Sequence, residues 1–140
     1  MGGMDQPAPS RHRTMAQRSG DAAEALVEAR LTDLGWAVLA RNVHVGRYEL
    51  DLVAVDRGPP PALVIVEVRW RRSRGFGLPE ETVDHRKRAR LRQAAYELLD
   101  RGEFADGSAV PRWPLRFDLV VVEPGDAGGA PIVRHHRAAF

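Results

Sequence analysis

The chain has 140 residues, 44% of them apolar, and a mean hydropathy of −0.36. That is enough for one core and excludes an intrinsically disordered composition. The longest apolar runs, Leu63 to Val66 and Leu119 to Val122, fall far short of the ~20 residues of a membrane span. Cysteine is absent, which excludes disulfides and thiolate zinc sites. With no secretory signal pattern, a cytoplasmic location and no membrane association are expected. The net charge is only +2 but the pI is about 9.6, because 20 of the 21 basic residues are arginine and Lys87 is the single lysine.

Residues 1–18 are rich in Gly, Pro, Ser, Gln and Arg and are expected to form a flexible tail, leaving one domain over 19–140. A first helix is predicted from Asp21 to Leu34, with Gly35 ending it. Asp21-Ala22-Ala23-Glu24 reads as its capping box. Strands are predicted over Trp36 to Asn42, Arg47 to Asp56 and Ala62 to Arg71. The last two are separated by Arg57-Gly58-Pro59-Pro60-Pro61, which cannot continue a ladder. A loop over Ser73 to Pro79 leads to the strongest helix, Val83 to Asp100, whose apolar positions Val83, Leu91, Ala94, Ala95, Leu98 and Leu99 keep helical spacing and which Gly102 closes. Leu115 to Val122 is a near-continuous apolar strand suited to a sheet centre, and Pro131 to His135 is a final edge strand. The order α-β-β-β-α-β-β predicts an α/β fold with helices flanking a central sheet.

The two middle strands carry the chemistry. With Asp56 placed opposite Ala62 across the turn, Asp51 falls opposite Glu67 and Glu49 opposite Arg69. Such a register is sensitive to a slip of one residue. Two opposed carboxylates among Val and Leu are costly without a cation between them. Mg²⁺ or Mn²⁺ would answer that need, because hard divalent ions take oxygen ligands, acidify water and stabilise charge on phosphate. Pairing of these acids with Arg47, Arg69 or Arg71 is the plainer alternative. Arg69, Arg71, Arg72, Arg74, Arg86, Lys87, Arg88, Arg90 and Arg92 crowd the stretch that follows. They suggest a phosphate-binding surface, against the alternative of a solvated helix face. Trp70 and Phe76 are candidates for base stacking or simple packing. Gly75-Phe76-Gly77 lacks the Gly-Lys-Ser/Thr ending of a phosphate loop. Adjacent His135 and His136 make a poor metal pair, and Arg116 with Asp118 reads as a structural ion pair.

Tyr48-Glu49-Leu50-Asp51-Leu52-Val53, a turn and Val64-Ile65-Val66-Glu67-Val68-Arg69 together resemble the PD-(D/E)XK nuclease motif. More narrowly, the chain is similar to the YraN family, whose fold relatives include archaeal Holliday junction resolvases. Further matching pieces are Gly20 to Glu24 with Ala25, Gly35 with Arg41-Asn42, and Val83 with Lys87 and Leu91. Arg116-Phe117-Asp118 and Ala139-Phe140 complete the likeness, which covers most of the chain after the tail. The resemblance implies a restriction-endonuclease-like fold with a mixed sheet, and Asp51 and Glu67 as ligands of Mg²⁺ or Mn²⁺. It further implies Glu24 as an assisting helix-borne acid, DNA as the partner, branched or damaged DNA among the substrates, and a homodimer. Arg69 stands where the motif has lysine, and arginine cannot serve as a general base, although it can stabilise negative charge. Lys87, four residues before Leu91, lies in the apolar stripe of its helix. It is therefore placed either to take over part of the missing lysine's role or to snorkel to water. Glu49 is expected to pair with Arg69. Three functions fit: a metal-dependent endonuclease, a silent nucleic-acid-binding module of the same fold, and a protein-interaction domain.

Overall fold

The computed structural model describes residues 15–71 and 84–140, with side chains from residue 20 onward. The elements are α1 (Met15–Asp33), β1 (Ala37–Val45), β2 (Tyr48–Asp56), β3 (Ala62–Trp70), α2 (His85–Arg101), β4 (Leu115–Glu123) and β5 (Ile132–His136). This is the predicted order. The strands lie side by side as β1-β2-β3-β4-β5. Pairing is antiparallel except between β3 and β4, which run parallel with α2 in the crossover. The sheet is therefore mixed, as the resemblance implies.

Each face of the sheet buries its own core. On one side Val53, Val55, Leu63, Ile65 and Phe117 pack with Leu91, Ala94, Ala95 and Leu98 of α2. On the other side Leu52, Ala54, Val64, Val66, Val120 and Val122 pack with Ala23, Val27 and Leu31 of α1. Burial on both faces explains why β3 and β4 read as unbroken apolar runs. Asp84 caps the start of α2 by accepting the Lys87 backbone N–H at 3.0 Å. Gly102 ends it in the left-handed conformation, donating to the Leu98 carbonyl.

The first helix departs from expectation. It begins at Met15, so residues 15–18 are helical rather than part of a tail. Met, Ala, Gln and Arg are good helix formers and extend the helix back past Gly20. Asp21 consequently sits inside the helix, and the predicted capping box does not form. The expectations for residues 1–14, and for Arg72, Arg74, Phe76 and Val83, lie outside the described residues.

Candidate active site

Side chains two apart on a strand normally share a face, and β2 breaks this rule at Asp51. Leu50 packs into the α2-side core, whereas Leu52 packs into the α1-side core. The neighbouring strand breaks at the same level. Arg41 pairs with Leu52 and Val43 with Leu50, and Asn42 between them has a φ of 50°. A left-handed residue of this kind is one that asparagine tolerates better than most. The twist places Asp51 at a point where the regular pairing of β2 with β3 has ended. The register runs from Asp56 opposite Ala62 to Leu52 opposite Val66, as predicted, and then stops. Beyond it the Val68 backbone N–H donates to Asp51 Oδ2 at 2.8 Å, so a carboxylate takes the donor that a strand carbonyl would accept.

That position brings Asp51 against Glu67. Burial pushes the Asp51 carboxyl up to about 8, and the charge of Glu67 adds to the rise; the Val68 N–H opposes both. Glu67 is only 4% exposed. Its Oε2 receives Lys87 Nζ at 2.6 Å and Arg69 Nη2 at 3.3 Å. Lys87 therefore reaches across from the N-terminal turn of α2 to the sheet, with its side chain one-third exposed. Glu24 approaches from α1 and adds to the rise at Asp51. Its Oε1 is buried and has no hydrogen-bond partner. Burial raises the Glu24 pKa, as do the charges of Asp21 and Glu49, against the lowering influence of Asn42 and Arg41.

Glu49 does not join this group in the way expected. It pairs with His44 at 3.2 Å, not with Arg69. The switch of faces at Asp51 explains the difference, since it turns Glu49 toward the side of Glu24.

Arg86, Arg90 and Arg92 are exposed on α2, and Arg88 is partly exposed. Arg88 lies 6.0 Å from the Phe140 ring and Arg92 5.0 Å from the Phe117 ring. Arg71 instead points inward. Its side chain is 10% exposed and lies 4.0 Å from Glu123, which also binds Arg134. Trp70 packs against the α1-side core.

A second polar cluster lies at the other end of the sheet, on the α1 face. Arg116 donates to both oxygens of the fully buried Asp118, at 2.9 and 3.0 Å, and to Asp56 at 2.9 Å. His135 Nε2 and the Ala138 N–H also bind Asp118, at 2.8 and 3.0 Å. This is the structural ion pair that was expected, enlarged by partners the sequence did not reveal. Asp56 and His135 come from strands far apart in the chain, and no local signal links them to Asp118.

Among the described residues, no three Asp, Glu, His or Cys side chains converge closely enough to cage a metal unaided. The donor set nonetheless suits a hard divalent ion that takes one or two carboxylates and completes its shell with phosphate and water. The crowded acids call for positive charge: one holds its proton to about pH 8, one is covered by Lys87 and Arg69, and one has an orphaned buried oxygen.

A mixed sheet between helices, with an Asp on one central strand facing a Glu on the next, defines a restriction-endonuclease-like α/β domain. The model of the uncharacterised protein family UPF0102 matches residues 23–122. The chain belongs to this family, which is the YraN family. It is 43% identical over 114 residues to a UPF0102 protein of Symbiobacterium thermophilum, covering 81% of this chain and 89% of the relative. Identity is 38% over 122 residues to one from Bifidobacterium longum subsp. infantis, covering 86% and 91%. It is 43% over 107 residues to one from Moorella thermoacetica, covering 76% and 81%. Among the described residues, no helix is long and apolar enough to cross a membrane.

Proposed function

We propose that this protein is a divalent-metal-dependent nuclease that hydrolyses phosphodiester bonds in DNA, with branched or damaged DNA as its substrate class. The observation that carries the reading is the Asp51–Glu67 pair, a carboxylate couple with Glu67 buried and Asp51 partly so, at a break in the sheet with two cationic side chains against it. Asp51 and Glu67 would hold Mg²⁺ or Mn²⁺. Such an ion supplies charge neutralisation for phosphate and acidifies water.

The remaining roles belong to the chain itself. The Val68 N–H fixes the Asp51 carboxylate. Lys87 and Arg69, both on Glu67 Oε2, stabilise negative charge building on the phosphate oxygens. Arg69 does so without acting as a base, so Lys87 stands in for the motif lysine. Glu24, with its buried Oε1 left unsatisfied, would supply a further acceptor to the metal's water shell. Arg86 and Arg90 lie on one flank of α2 and Arg88 and Arg92 on the other, so the helix offers phosphates a row of cations on either side. A homodimer would give a four-way junction one site for each of the two strands to be cut.

The test is cleavage of a four-way junction, a flap and a plain duplex with Mn²⁺, Mg²⁺ or chelator. An Asp51→Asn, Glu67→Gln double variant is the control. Metal-dependent cutting that the double variant loses is the expected result. Salt-sensitive binding with no cutting would replace the nuclease by a silent nucleic-acid-binding module. Neither binding nor cutting would leave the basic helix to an acidic protein partner.

A further inference from the structure

Tyr96 is 57% exposed, one of two large apolar side chains left open among the described residues. It is not isolated. Tyr96, Leu99, Asp100, Arg112 and Trp113 line an open notch of about 280 Å³ between the C-terminal half of α2 and the segment before β4. Leu99 and Trp113 are partly buried and back onto the α2-side core, so one wall of the notch is held in place. Arg112, Tyr96 and Asp100 are exposed at its rim.

The notch continues a line already described. Residues four apart share a helix face, so Arg88, Arg92 and Tyr96 follow one another along α2. Lys87 at the carboxylate pair and Tyr96 are nine residues apart on this helix, or about 14 Å. The Arg88 and Arg92 guanidinium groups rest over Phe140 and Phe117. An aromatic face steadies a guanidinium without cancelling its charge. The path thus runs from the candidate active site, past two positioned cations, to two aromatic rings.

We propose that the Tyr96–Trp113 notch is a stacking subsite for an unpaired nucleobase of a strand whose phosphates pass Arg92 and Arg112. The inference rests on the nuclease reading and narrows it to substrates with single-stranded character, such as a flap or an open branch. Aromatic rings beside a positive track are the combination that single strands need, because every base has a face to stack and every linkage a charge. Asp100 at the rim adds an acceptor for an exocyclic amine, as carboxylates provide for cytosine N4.

The experiment uses the full chain in chelator, where nothing is cut. Fluorescence anisotropy would follow three labelled probes: a single-stranded DNA, the same strand with abasic sites, and a duplex of equal length. Wild type should prefer the base-bearing strand over the abasic one by roughly 5- to 150-fold, the range expected for one stacked base. Tyr96→Ala should abolish that preference and leave duplex binding unchanged, and Tyr96→Trp should keep it. No preference in wild type, a preference that survives Tyr96→Ala, or an equal loss on all three probes would each overturn the subsite. Binding without base dependence sinks the notch alone, whereas no binding to any probe sinks the nucleic-acid reading with it.

Discussion

Lys87 Nζ lies 2.6 Å from Glu67 Oε2, so the single lysine of the chain makes its ion pair with the most buried acid of the candidate site. The contact spans the crossover from β3 to α2. Its geometry depends on the Asp84 cap, which fixes the first turn of the helix through the Lys87 N–H.

An ammonium in that position has two consequences when a metal competes for Glu67. It repels a second cation, and it offers charge to a phosphate. Lys87→Met should therefore tighten Mn²⁺ binding in calorimetry, while cleavage falls on the order of 10²–10³-fold, as for the loss of one transition-state donor. Weaker Mn²⁺ binding would show that Lys87 organises the carboxylates rather than opposing the ion. Unchanged cleavage would reduce it to a snorkelling side chain.

The Asp51 carboxyl gives a test that needs no substrate. Its pKa is raised from 3.8 to about 8 by burial and by Glu67. In the unfolded chain it ionises near 3.8; in the fold it keeps its proton until about pH 8. The stability it contributes is full below pH 3.8 and is lost as pH rises toward 8, by up to about 1.4 kcal/mol per pH unit. Asp51→Asn removes this loss. In chelator, denaturant titrations from pH 5 to 8 should find the variant increasingly more stable than wild type. Adding Mn²⁺ should stabilise wild type and leave the variant unmoved. A variant whose stability tracks wild type across this range would mean that Asp51 is not held protonated.

The element order was legible from hydrophobic period and the proline-rich turn, the Asp56–Ala62 register only by placing those residues opposite one another across that turn, and the mixed sheet only through the family resemblance. Legible too was the direction of Lys87, which spacing to Leu91 places on the inner face of α2. The twist at Asp51 was not legible. It depends on Asn42, whose positive φ matters only once β1 lies beside β2. For the same reason the partner of Glu49 came out as His44. Arg71 was expected on the surface, but its partner Glu123 arrives from β4, more than fifty residues later. A strand-alternation argument cannot see either event.

The second polar cluster should behave as a lock rather than a site. Burial pushes Asp118 up, but His135, Arg116 and the Ala138 N–H together bring it below the ordinary carboxylate range. Asp56 is also lowered; burial opposes the shift, and the Gly58 N–H and Arg116 outweigh it. Both acids contribute stability that is present above their unfolded value of 3.8 and is lost as pH falls through their folded values. Asp118→Asn leaves Arg116 and His135 without their shared anion, which costs about 3–5 kcal/mol for a broken buried pair. Chemical denaturation at pH 7 should show that loss, with a shallower acid transition below pH 4. A cost under about 1 kcal/mol, the range of exposed pairs, would contradict a buried lock.

The arginines of α2 can be judged by salt alone. A protein that neutralises duplex phosphates shows a log–log salt slope of roughly −0.9 per phosphate contacted. Arg86 and Arg90 are exposed and one turn apart, so each can meet a phosphate directly. Single changes to Ala should weaken duplex binding similarly for every sequence and make the slope shallower by roughly 0.9 each. Arg71→Ala is the internal control, because its side chain turns toward Glu123 and leaves the slope as it is in wild type. If Arg71→Ala changes the slope and Arg86→Ala does not, the phosphates run past the end of β3, and the track along α2 is wrong.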